Sequence, residues 1–227
     1  MALSSPSSRG LSRVFREPAN ALTHLCGVVL AAVGTVALVI VALGDPWRLA
    51  SALVFGISLI LLYTASTLLH GVRAEPHVVR RLRVFDHAAI FVLIAGTYTP
   101  ITLVSLRVVD PVWSWVLFGT VWGLAVLGVL FKLFWIGAPR WLSVGLYIAL
   151  GWMAVIAVAP LLQALPLGAM LWMLAGGLFY TVGALVYATK RPDPWPRTFG
   201  FHALWHLFVL AGSASHFMMV FGYVMQG

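Results

Sequence analysis

Long uncharged runs separated by short charged clusters set the pattern along this chain. Pro18 to Gly44 gives 27 residues without Asp, Glu, Lys or Arg, Leu49 to Val72 gives 24, His87 to Leu106 gives 20 and Val112 to Phe131 gives 20. Each can cross a hydrocarbon core of about 30 Å as a helix rising about 1.5 Å per residue. Trp141 to Thr189, at 49 residues, is too long for one span, and Pro160-Leu-Leu-Gln163-Ala-Leu-Pro166 divides it. A last run of 30 follows from Thr198. The pattern predicts seven transmembrane helices, over about 20–43, 49–70, 86–106, 112–132, 141–159, 167–189 and 200–224. A short tail, residues 1–17, precedes one membrane domain, residues 18–227. The runs are far too long for barrel strands, so the fold class is an all-α integral membrane bundle.

Composition agrees: 62% of the 227 residues are hydrophobic and only 9% charged, well short of the roughly one quarter of a soluble domain. A net charge of +8 could suggest nucleic acid. The cations instead sit in clusters between apolar runs, without aromatic interleaving, so no nucleic-acid partner is expected. Their placement is informative in another way. Seven spans give eight alternating segments, and 12 of the 14 Lys and Arg fall in one set, leaving Arg48 and Arg107 in the other. The positive-inside rule then puts the N-terminus in the cytoplasm and the C-terminus outside, with a cell inner (plasma) membrane as the expected location. G-protein-coupled receptors run the other way, and a retinal protein would need a lysine in the last span, where none lies beyond Lys190. Cys26 falls inside the first span and implies no disulfide framework. The Ser- and Arg-rich start has no apolar core of a signal peptide.

The polar residues segregate. Asn20 and His24 open the first span, Ser66 and His70 close the second, Asp86 and His87 open the third, and His202 and His206 open the seventh. All fall at the expected cytoplasmic end, and intramembrane ionisable groups are costly and usually functional. His202 and His206, four apart, share one helix face and can bind a single ion. His70 stands at matching depth as a third ligand. Three histidines with one open position describe a catalytic zinc site, in which zinc lowers the pKa of a water. Asp86 is the acid placed to take a proton or orient a ligand, with Ser66 one turn from His70. Plainer readings stay open: interfacial histidines bonded to carbonyls, Asp86 as the cap of the third helix, Ser66 as a packing residue. His87 points about 100° away from Asp86 and reads as supporting or structural, His216 lies about 15 Å deeper, and His77 reads as solvated. The Gly119–Gly123 pair suggests close packing of the fourth span.

Glu17-Pro-Ala-Asn20-Ala-Leu-Thr-His24, Ser66-Thr-Leu-Leu-His70, Phe85-Asp86-His87, Gly96-Thr-Tyr-Thr-Pro100 and His202-Ala-Leu-Trp-His206 together resemble the bacterial hemolysin III family. That family belongs with the progestin and adipoQ receptors and, more distantly, the alkaline ceramidases. The resemblance implies a seven-helix bundle with one zinc ion near the cytoplasmic face, held by His70, His202 and His206. It also implies that Ser66 and Asp86 hold or activate water. A metal-dependent hydrolase of a lipid amide or ester, reached from the cytoplasmic leaflet, is the first expected function, with membrane lipids as partners. A sensor of membrane state with a structural zinc is the alternative. A pore-forming hemolysin has less support, because the polar groups do not line a path across the bilayer.

Overall fold

A computed structural model describes residues 14–226. Seven helices are long and apolar enough to cross a membrane: α1 Pro18–Ala42, α2 Pro46–Gly71, α3 Pro76–Val109, α4 Pro111–Phe134, α5 Arg140–Ala164, α6 Leu167–Thr189 and α7 Phe201–Val224. The chain is a multi-pass membrane protein. Four helices begin with proline at the first helical position, where its missing N–H is not needed and its fixed φ suits the helix. Asp45 caps α2 by accepting from the Trp47 and Arg48 amides, and Asp110 caps α4 through Trp113.

α3 is the central helix, with most of its apolar window buried, whereas α1 and α5 turn most of theirs outwards. Val29, Leu30, Val33 and Val36 of α1 are exposed, as a lipid-facing stripe requires. Pro100 sits inside α3, and a π-helical segment, Ile101–Leu106, follows it. A proline cannot complete the α ladder, and in a membrane the freed groups need partners. Thr97, Thr99 and Thr102 hydroxyls donate to the carbonyls of Leu93, Ala95 and Tyr98, while Ser114 of α4 donates to that of Thr102.

Three expectations change. α3 starts at Pro76, ten residues before the expected boundary, so Asp86 stands in its third turn and cannot be its cap. Arg80, Arg81 and Arg83 are helical residues; at 34 residues, or about 50 Å, α3 extends beyond a 30 Å core. α5 runs through Pro160 to Ala164, with a 3-10 segment at Trp152–Ala157, so only Leu165–Pro166 separates it from α6. Gly119 and Gly123 mark no close packing: a Cβ at either would touch nothing within 4 Å. The close contacts lie elsewhere, at Gly128 against the Phe91 ring and Gly96 against Ser58.

Residues 1–13 of the expected tail, with Arg9 and Arg13, lie outside the described residues. The end of the tail is tied down: the Arg16 and Glu17 amides donate to the Gly71 and His70 carbonyls. Thus the start of α1 is pinned to the end of α2. Every described lysine and arginine except Arg48 and Arg107 falls at this end of the bundle, called the basic end below.

Candidate metal centre

His70 ends α2, and His202 and His206 lie on the first two turns of α7 at the same basic end. Their ring centroids are 4.7 Å (His70–His202), 5.1 Å (His70–His206) and 4.8 Å (His202–His206) apart. One ligand nitrogen from each lies within 4.8 Å of the others, so the three could hold a metal ion. His70 and His206 are buried and His202 half-buried.

The start of α1 sets the ring orientations. Nδ1 of His70 donates to Oε2 of Glu17 at 2.6 Å, and Nδ2 of Asn20 donates to the same oxygen at 2.8 Å. Nδ1 of His206 is 3.1 Å from both the Asn20 carbonyl oxygen and the Thr23 hydroxyl. Those oxygens accept, so Nδ1 carries the proton in both rings and the Nε2 lone pair is left for an ion. Nε2 of His70 is buried without any hydrogen-bond partner. A buried polar atom left without a partner is costly, and a cation among three imidazoles would satisfy it. A carboxylate or carbonyl behind a ligand histidine is the usual support of metal sites. The residues fit an ion.

Glu17 is the residue missed by sequence reasoning, where it served as the boundary of the tail. Its hydrogen bond to His70, helped by Asn20 and Arg16, outweighs partial burial and holds the carboxyl far below the ordinary range, at about 2. Its place three residues before Asn20, at the head of the first motif, was the available signal.

Ser66, buried one turn before His70, and Asp86 of α3 line the same cavity wall as the histidines. Asp86 is half-buried. All five expected site residues therefore come together on one wall. His24 joins them: it is buried and stacks on His206 at 3.6 Å, with both ring nitrogens unpartnered. His87 lines the same space, but its backbone carbonyl is what Tyr147 hydroxyl bonds. His216 stands apart, stacked on Tyr180, whose hydroxyl pairs with Ser213. His77 is exposed.

This wall belongs to a cavity of about 910 Å³ that begins at Arg16 and Glu17 and passes the histidines. Beyond them its lining is largely apolar, including Leu93, Ile94, Ile101, Val155, Met170 and Leu174.

The sequence pattern described as "Haemolysin-III related" matches residues 12–217. The chain belongs to the haemolysin III family. It is 39% identical over 214 residues to "Hemolysin-3" of Bacillus cereus, covering 93% of each chain. It is also 39% identical to the "Hemolysin-3 homolog" of Bacillus subtilis (strain 168), over 92% of this chain and 95% of that one. Identity to the human "Monocyte to macrophage differentiation factor" is 25%, over 92% of this chain and 85% of that protein. The haemolysin III match contains Glu17, the three histidines, Ser66 and Asp86, so the whole site falls within the family region.

Proposed function

We propose that this haemolysin III protein is a zinc-dependent hydrolase of a lipid amide or ester, embedded in a cell inner membrane with its basic end in the cytoplasm. One observation carries the reading: three clustered imidazoles, two of them with Nδ1 held by oxygen acceptors, share with Ser66 and Asp86 the wall of a largely apolar cavity. His70, His202 and His206 would hold the ion. A zinc ion held there supplies Lewis acidity, lowering the pKa of water and polarising a carbonyl. Three protein ligands leave a position open for chemistry, whereas a purely structural zinc site is normally closed by four.

The chain's own groups supply the rest. Asp86 accepts the proton of the attacking water and returns it to the departing nitrogen or oxygen, while the Ser66 hydroxyl fixes the carboxylate's direction. The apolar cavity receives an acyl chain and excludes bulk water from the carbonyl. A lipid reaches such a site sideways from the cytoplasmic leaflet. The haemolysin name of the bacterial relatives suggests a pore, but the charged groups of the cavity cluster at one end and the lining beyond them is largely apolar, which favours a hydrolase. The test is fatty-acid release from fluorescent ceramide and other acyl lipids by purified, zinc-loaded protein. Release is expected; none from any acyl lipid at full zinc occupancy overturns the proposal.

A second reading has its own observation. α7 packs mainly on α6 and α1, and its histidines meet His70 of α2, so an ion there would brace helices that are not otherwise major neighbours. In that case the protein is a sensor of membrane state with structural zinc, and Asp86→Ala leaves cellular function intact.

A further inference from the structure

The mouth of the cavity carries charge that the histidine centre does not use. Arg83 of α3, Lys132 of α4 and Arg140 of α5 all line it, and the described ion pairs involve none of them. Lys132 is the decisive one. It is 2% exposed, donates to the buried Ser143 hydroxyl, and lies 5.1 Å from the Phe131 ring centroid and 6.0 Å from that of Tyr147. An ammonium held among aromatic rings within a membrane, without a carboxylate, is expensive and normally has an anion to meet. The positive-inside rule explains exposed basic residues but does not require a buried one beside a cavity.

The neighbouring cations are positioned to help. The Arg140 guanidinium lies 4.8 Å from the Tyr187 ring centroid and spends one donor on the Tyr187 carbonyl at 3.3 Å, out of the five a guanidinium carries. Neither carboxylate on the cavity wall pairs with them: Glu17 holds His70, Asn20 and Arg16, and the described ion pairs do not include Asp86. Three cations from three helices, a serine hydroxyl and an apolar cavity behind them describe a receptor for an anion attached to a hydrocarbon.

We propose that Arg83, Lys132 and Arg140 form a phosphate-binding subsite, which makes the lipid taken up by this cavity a phospholipid with a phosphomonoester headgroup. Arginine and lysine are the usual phosphate binders, arginine through its fork and lysine as a point charge. The inference rests on the lipid reading of the cavity above and names the headgroup that reading leaves open.

The test measures binding without turnover. Purified, metal-loaded Asp86→Asn protein is titrated with phosphatidic acid, with diacylglycerol of the same chains, and with inorganic phosphate, following thermal stabilisation and native mass spectrometry. Phosphatidic acid should bind at least about tenfold more tightly than diacylglycerol, the weight of one or two charge-assisted hydrogen bonds. Lys132→Met and the exposed-site variant Arg83→Gln should each remove most of that preference. Arg83→Gln keeps the test open if the buried substitution prevents folding. Equal binding of diacylglycerol overturns the subsite. Equal binding of inorganic phosphate overturns its assignment to a lipid. Retained preference in a folded Lys132→Met and in Arg83→Gln removes these residues from it. Absence of hydrolysis by wild type beside intact phosphatidic acid preference would count against the hydrolase alone, and hydrolysis of neutral lipids without that preference against the subsite alone.

Discussion

Glu17 Oε2 and His70 Nδ1 are 2.6 Å apart across 53 positions of sequence, which makes the first residue before α1 the support of a candidate ligand at the end of α2. Two backbone bonds, from Arg16 and Glu17 to the last carbonyls of α2, hold the acid in place. Losing such an outer partner usually costs about 10–100-fold in metal affinity. Glu17→Ala should therefore bind zinc about 10–100-fold more weakly than wild type in a chelator competition. Unchanged affinity would make the pair a structural contact only.

The same pair gives the metal-free protein an acid limit. The Glu17 carboxyl falls from an ordinary 4.5 to about 2 on folding, so the folded state favours its charged form. Its stabilising contribution is full above pH 4.5 and is lost as pH falls from there towards 2. Wild type should melt above Glu17→Gln by a constant margin at neutral pH, and the margin should shrink as pH drops below the ordinary carboxyl value. Thermal melts of both metal-free proteins in detergent across that window measure it. A margin independent of pH would refute the charged carboxylate as its source.

His70→Ala, His202→Ala and His206→Ala should each lose most bound metal on elemental analysis of the purified protein. Metal should raise the melting temperature of wild type but not of the variants, because the ion links α2 to α7. Chelation should remove that rise from wild type and leave the variants unchanged. Equal metal content in all four proteins refutes the centre.

The helix count and the histidine cluster were legible because both depend on local regularities: uncharged runs long enough to span, and residues four apart on one helix face. What was hidden depends on distant partners. The basic stretch Arg80–Arg83 reads as a loop when charge marks the boundary, yet Pro76 after Glu75 is the helix start, which moves Asp86 from a cap to the third turn. Glu17 looked like a boundary because its partner is 53 positions away. Glycine spacing misled for the same reason. A Gly119–Gly123 repeat says nothing about what faces it, and it faces no neighbouring atoms, while a Cβ at Gly96 would fall 2.7 Å from that of Ser58. Gly119→Ala should leave stability within about 1 kcal/mol or raise it, since alanine is the better helix former. Gly96→Ala should lower it by about 1–3 kcal/mol through overpacking. Unfolding in mixed micelles measures both, and equal effects would remove the α2–α3 contact as the cause.

Asp86 decides between the chemistry and the brace. If the carboxylate moves the proton, Asp86→Asn should lower lipid hydrolysis by about 100-fold or more, the usual weight of a general base, while metal content stays at the wild-type level because no ligand is touched. Ser66→Ala should cost less, since it removes only a hydroxyl on the wall that Asp86 shares. Both variants should melt within a few degrees of wild type, because Asp86 is only half-buried and Ser66 to Ala leaves little void. Metal content and turnover measured on the same preparations separate the readings. Loss of turnover with metal retained fits a catalytic Asp86. Loss of metal from Asp86→Asn would recast the acid as part of the ion's support, and full turnover in Asp86→Asn would remove it from the reaction.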